Sequence, residues 1–295
     1  MTEHARRWGV FYAVVAAFGF SFKAILIKLA YPYGVDAVTL LVLRMAFALP
    51  VFVWVGLSSS QGAPTLGWRD GLRVLALGTL GYYGASLLDF IGLQYISAGL
   101  ERLILFTYPT LTLLLGVVLH GKKITRREAL AMLLCYAGIA AAFWHDLRLA
   151  GDTAKIWLGA GFVFASSVSY AFYLSGSAAM IAKLGSGRFT ALAMLVSTAV
   201  TFVHFLATHE WQTLIQPWPV YAYGLAMAMF STVLPVFSLA IAIRQLGSGQ
   251  AALIGMMGPL LTIVFAWLLL GEGFSLAQFF GLALVLLGVS VVTRR

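Results

Sequence analysis

Residues 8–22 read WGVFYAVVAAFGFSF, without a single charge. Runs of this kind recur along the whole chain. An α-helix needs about 20 apolar residues to cross the hydrocarbon of a bilayer. Ten segments qualify, at roughly 9–29, 37–57, 73–94, 100–119, 128–144, 156–178, 189–207, 220–242, 249–270 and 275–292. Backbone polar groups in lipid must be paired within their own segment, so these runs are expected as helices and not as open strands. Composition excludes the soluble alternative. The 295 residues are 61% hydrophobic and only 10% charged, whereas soluble domains carry about 25% charged residues. The reading is an all-α membrane protein of ten transmembrane helices, with connections too short for a soluble domain.

The formal charge of +9 does not point to nucleic acid, because no basic stripe lies on a soluble module. The excess sits between the apolar runs. With the N-terminus inside, thirteen of the 19 Lys and Arg residues, from Arg6 and Arg7 through to Arg294 and Arg295, fall in inner connections. Lys28, Arg102, Arg148 and Lys155 fall outside, and Lys23 and Arg44 within spans. Positive residues stay on the cytoplasmic side, so both termini are expected there. The start, MTEHARRW before a long apolar run, is read as a retained first helix, since no small-x-small cleavage site is convincing. The single cysteine, Cys135, allows no intrachain disulfide and no cysteine-type metal site.

A shift of 150 residues lays the second half over the first without a gap. Gly99, Leu103, Ile104, Pro109, Thr112, Gly121 and Gly138 then match Gly249, Leu253, Ile254, Pro259, Thr262, Gly271 and Gly288. Chance matches of Leu and Ile are cheap, but aligned Pro and Gly are not, since both are costly inside helices. The units are 1–145 and 146–295, within one integral membrane protein. Each has five spans, an odd number, so the second enters from the opposite side. Inverted repeats characterise secondary transporters, whose substrate site lies near the midplane between the repeats. Pro109 and Gly258-Pro259 interrupt corresponding helices. They are candidate hinges for alternating access, or static kinks that fit the bundle.

The stretch GPLLTIVFAWLLLGEGFSLAQFFGLALVLLGV (258–289), with its proline in the fourth helix of the unit and Leu-Gly-Glu before the fifth, resembles the EamA-type domains of the drug/metabolite transporter superfamily. The first unit carries Gly121-Lys122 in place of Gly271-Glu272, a departure at the acid. The resemblance covers nearly the whole chain. Within the superfamily it is strongest to the YddG-like bacterial exporters of aromatic amino acids. It implies a multi-pass protein of the bacterial inner membrane, a monomer, whose partners are the lipid bilayer and amino-acid substrates. It implies export of aromatic and other neutral amino acids with broad specificity, without a cofactor. An exporter of drugs or organic cations would need an acid in the cavity, and an organic-anion carrier more than one inward cation; both stay open. No H-E-x-x-H, G-x-S-x-G or paired intramembrane aspartates mark an enzyme, so no catalytic residue and no metal ligand is assigned.

Ionisable residues inside a membrane usually pair with one another or line a substrate path. Lys23 lies about 7 residues, or ~10 Å, below the outer end of its helix. Its side chain leans inward with the helix, which strains snorkelling to the surface. Arg44 and Asp89 lie at similar depth, so Lys23–Asp89 or Arg44–Asp89 could be a buried pair, or Lys23 could face a substrate carboxylate. The aromatic candidates for substrate binding are Phe20 of GFSF, Tyr82 and Tyr83 of GTLGYYGASLLD, and Tyr170 and Tyr173 of SYAFY. Such rings stack on a ligand while their hydroxyls hydrogen-bond it, although packing alone would also place them. Gly78, Gly81 and Gly84 would leave a smooth face for close helix packing or for a cavity. His204 is expected at the outer interface. Glu101 opens a helix, where a carboxylate complements the dipole.

Overall fold

The computed structural model describes residues 3–120, 125–149, 152–246, 254–255, 257–273 and 275–293. All regular structure among them is helical. In chain order the helices are α1 (Glu3–Ala30), α2 (Ala37–Ser58), α3 (Trp68–Gly92), α4 (Ala98–Leu105), α5 (Tyr108–His120), α6 (Arg126–Leu149), α7 (Thr153–Leu184) and α8 (Ser186–Thr208). They continue with α9 (Trp218–Ala228, then Met229–Val233 and Leu234–Leu246 without a break), α10 (Met257–Leu270) and α11 (Leu276–Thr293). Gly121, Lys122, Lys123, Gly249, Leu253, Arg294 and Arg295 lie outside the described residues.

Among the described residues, seven helical stretches are long and apolar enough to cross a membrane. Three further apolar helices, Met132–Trp144, Met257–Leu270 and Leu276–Gly288, are shorter. In α6 the reason is local: Arg126, Arg127 and Glu128 at one end and Asp146 and Arg148 at the other confine the apolar part. The outer surface is apolar, with Trp54, Trp68, Val118, Ile215 and Leu276 all at least 70% exposed. A soluble monomer does not expose apolar surface on that scale; lipid is the solvent that satisfies it. This is a multi-pass membrane protein.

The 150-residue offset reappears in three dimensions. Helix α7 begins 150 residues after α1, and the π-helical turn Thr79–Gly84 inside α3 has its counterpart at Met229–Val233 inside α9. Packing follows the same exchange. Helix α1 lies against the last part of α9, Leu234–Leu246, and against α10, while α7 lies against the end of α3 and against α5. Helices α2 and α8 pack on each other, as do α6 and α11. Where α6 meets α11, Cys135 Sγ approaches the carbonyl of Val285 at 3.6 Å. A Cβ added to Gly138 would lie 2.4 Å from the carbonyl oxygen of Gly281, so only glycine allows the backbones this close.

The main core joins the end of α1, the start of α2 and the end of α3, around Ile25, Ile27, Leu40, Leu41, Met45, Phe90 and Leu93. It holds together the helices that carry the intramembrane charges.

Candidate functional site

The proline pattern sets the geometry of α4 and α5. Pro109 has no N–H to reach back four residues, so the carbonyl of Leu105 loses its helical donor. The chain breaks at Phe106–Thr107 and restarts as α5, with Pro109 its second residue. The loose end is taken by α7: Ser167 Oγ donates to the carbonyls of Ile104 and Leu105, both at 3.2 Å. At the other proline, the carbonyl of Gly258 accepts from Ser21 Oγ at 3.0 Å, and Thr262 Oγ1 donates to the Ser21 carbonyl at 3.2 Å. The break before Pro109 and the first turn of α10 at Pro259 are therefore each tied to a helix of the opposite half.

The N-terminus of α4 is held from two sides. Ser97 Oγ accepts from the Leu100 amide at 3.1 Å. Glu272, from the turn between α10 and α11, accepts from the Ala98 amide at 2.9 Å and the Gly99 amide at 3.4 Å. A carboxylate on free amides at the positive end of a helix is favourable on both counts. This fixes the first turn of α4, which carries Glu101, with Arg102 next in the helix.

Five charged side chains meet there. Lys23 Nζ of α1 contacts Asp89 Oδ2 of α3 at 2.6 Å, so of the two pairings open in the sequence the lysine makes the bond. Arg44 of α2 donates to Ser86 Oγ at 3.1 Å and lies over the Phe90 ring, 5.3 Å from its centroid. Arg102 donates to the carbonyl of Phe20 at 3.0 Å, and its Nε is 3.7 Å from Glu101 Oε2. The Glu101 carboxyl lies near enough to that of Asp89 for each to feel the other's charge. Asp89 is 1% exposed and Glu101 0%, and among the described residues no hydrogen-bond donor serves any oxygen of the two carboxyls, whose contacts are the ion pairs with Lys23 and Arg102. Around them, Tyr31 also faces Asp89 while bonding the Phe90 carbonyl, and Lys28 faces Glu101 and Glu272. Arg44, Arg102, Asp89 and Glu101 are buried and Lys23 is largely so; gathered together, the three cations and two carboxylates compensate one another, which none could do alone at tolerable cost.

The aromatic candidates divide. Tyr82 and Tyr173 come together, with ring centroids 5.0 Å apart and hydroxyls 3.1 Å apart. Tyr170 lies 5.7 Å from Tyr173 and 5.1 Å from Tyr108, and Tyr108 in turn faces Arg102. A tyrosine cluster thus runs into the charge cluster. Tyr83 points elsewhere, its hydroxyl 2.9 Å from His204 Nδ1. Phe20 reaches the site through its main-chain carbonyl. The glycines of α3 serve close packing: a Cβ on Gly81 would sit 2.3 Å from the Tyr173 ring, and one on Gly78 2.7 Å from the Ala193 carbonyl oxygen.

Glu101, Arg102 and Tyr108 had no assigned part in the site on the sequence alone. Glu101 reads there as a helix-terminal acid and Arg102 as a loop cation. Two adjacent charges opening the run GLERLILF are the only local signal that they are buried.

A sequence model of the EamA-like transporter family matches the chain twice, at residues 7–144 and 157–294. The uncharacterized transporter YcbK of Bacillus subtilis (strain 168) is 30% identical over 282 residues, 92% of this chain and 88% of that protein. An uncharacterized transporter of Archaeoglobus fulgidus is 21% identical over 290 residues, 98% of this chain and 99% of that one. A solved crystal structure superimposes with a TM-score of 0.65 at 16% identity, covering 96% of both chains; at that identity the likeness is one of fold.

Proposed function

The chain belongs to the EamA-like transporter family of the drug/metabolite transporter superfamily, and from that membership we propose that it exports amino acids by alternating access, taking aromatic and other neutral ones with broad, YddG-like specificity. The observation that carries the substrate class is the intramembrane Lys23–Asp89 contact of 2.6 Å. It is an ammonium and a carboxylate held in the geometry that an amino-acid zwitterion would offer to each of them separately. Lys23, with Arg44 behind it, receives the substrate carboxylate, and the ring cluster of Tyr82, Tyr170 and Tyr173 receives an aromatic side chain.

In this reading the protein is a monomer in the bacterial inner membrane with ten spans and both termini cytoplasmic. Units 1–145 and 146–295 rock against one another with Pro109 and Gly258-Pro259 as the hinges. The three cations of the cluster against two carboxylates favour one further reading, an organic-anion carrier.

The experiment is uptake into proteoliposomes, run in parallel with aromatic and small neutral amino acids, sugar phosphates and cationic drugs. Uptake of the aromatic and neutral amino acids, weakened in Lys23→Met at unchanged folded yield, is the expected result. Transport of the phosphates alone moves the reading to anions, and transport of the drugs alone ends it.

A further inference from the structure

Cations in the opening turns of a helix work against its dipole, and α3 opens with two. Arg69 and Arg73 lie one turn apart on an exposed face, beside exposed Trp68, Leu72 and Leu75. Neither arginine is held closely by the protein. Arg69 has no carboxylate within salt-bridge distance among the described residues, and lies over the Trp68 ring, 5.5 Å from its centroid. Arg73 comes only to 3.9 Å from Asp70 Oδ1, while Oδ2 of that carboxylate is taken by Lys183 of α7 at 2.6 Å. Asp70, with Val74 and Leu77, belongs to the buried side of the helix. The exposed side therefore has two strips. Trp68, Leu72 and Leu75 follow one another at helical spacing and form an apolar strip, and the two guanidinium groups form a cationic strip beside it. Tryptophan settles where hydrocarbon meets headgroups, so the leucines run on from it into hydrocarbon. The arginine side chains lean toward the start of α3, and hence toward phosphate depth. Topology accounts for the side of the membrane on which these cations lie, but not for their alignment beside a lipid-facing apolar strip.

We propose that this face of α3 binds one anionic phospholipid, its phosphodiester between Arg69 and Arg73 and an acyl chain along Trp68, Leu72 and Leu75. In the orientation proposed above the lipid belongs to the cytoplasmic leaflet, but the site depends on neither that orientation nor the substrate. Guanidinium groups grip phosphate oxygens in pairs. A zwitterionic headgroup offers the same phosphate with its own cation attached, so the two arginines favour the anionic lipid, by roughly 30-fold. The bound lipid also acts on the protein. With Arg73 turned to the phosphate, Asp70 is left to Lys183, and that contact joins α3 of the first half to α7 of the second.

Native mass spectrometry of the full chain, from detergent holding equal amounts of phosphatidylglycerol and phosphatidylcholine, tests it without any transport assay. Wild type should retain one phosphatidylglycerol per chain in preference to phosphatidylcholine, by roughly 30-fold in affinity. The double variant Arg69→Gln/Arg73→Gln should bring the two lipids to parity while melting at the wild-type temperature in lipid-free detergent. If the double variant melts lower, Arg69→Gln alone carries the comparison, since Arg69 takes no part in the contact with Asp70. Arg126→Gln removes an exposed cation from the start of α6 and should leave the preference intact. Four results overturn the proposal: equal retention of both lipids by wild type, a preference that survives loss of the arginines, an equal loss in Arg126→Gln, which means diffuse attraction to surface charge, or displacement of the lipid by inorganic phosphate. Failure of amino-acid uptake leaves the lipid site standing, and loss of the lipid site leaves the amino-acid reading standing.

Discussion

The Lys23–Asp89 contact can be tested as an energetic unit. At 2.6 Å and an effective dielectric of about 20, the attraction is about 6 kcal/mol. Dehydrating two ions takes back several kcal/mol for each, so the intact pair contributes little net stability. Removing one partner is different, because the other is stranded. Asp89→Asn leaves an ammonium with an 18% exposed side chain and should cost about 3 kcal/mol, since that group can still reach some water. Lys23→Met leaves a carboxylate that is 1% exposed beside Glu101, and should cost about 4 kcal/mol. The double variant strands no ion and leaves only a buried amide to satisfy, at about 2 kcal/mol. The coupling energy is therefore expected to be about 5 kcal/mol. Reversible unfolding in bicelles of wild type, both single variants and the double gives all four corners. Single effects that add to within about 0.5 kcal/mol would mean the contact is incidental.

Gly81→Val should lower the melting temperature in detergent, by overpacking of about 1–3 kcal/mol against the Tyr173 ring. It should also cut aromatic more than small neutral amino-acid uptake; unchanged melting would show that Tyr173 moves aside freely. Glu272→Ala should cost about 1–2 kcal/mol by uncapping α4 across the two halves, with faster amide exchange at Ala98 and Gly99 as the local readout. Exchange at those amides equal to wild type would remove Glu272 from the role of a cap.

Much of the fold is legible in the chain because its causes are local or periodic. A run such as 8–22 dictates helix in lipid by itself, and the matched Pro109 and Pro259 reveal the repeat because few residues are harder to place in a helix. The π-helical turns at Thr79–Gly84 and Met229–Val233 have no comparable signal, since one turn rests on Gly78, Gly81 and Gly84 and the other precedes Pro235. Different residues reach the same backbone shape, so composition hides the match. Among the site residues, Lys23, Arg44 and Asp89 stand out because a charge in an apolar run is conspicuous. Glu101 and Arg102 do not, because they open a run where a charge is unremarkable.

What the sequence determined alone was solvent, secondary structure and symmetry, each set by the transfer cost of residues along a single segment. Only the tertiary structure decided which charges meet. Lys23 could have chosen water or a carboxylate, and Asp89 could have chosen Lys23 or Arg44. The choice depends on distances between four helices of unrelated sequence. At those distances a 2.6 Å contact and two carboxyls that feel each other's charge are matters of fold alone.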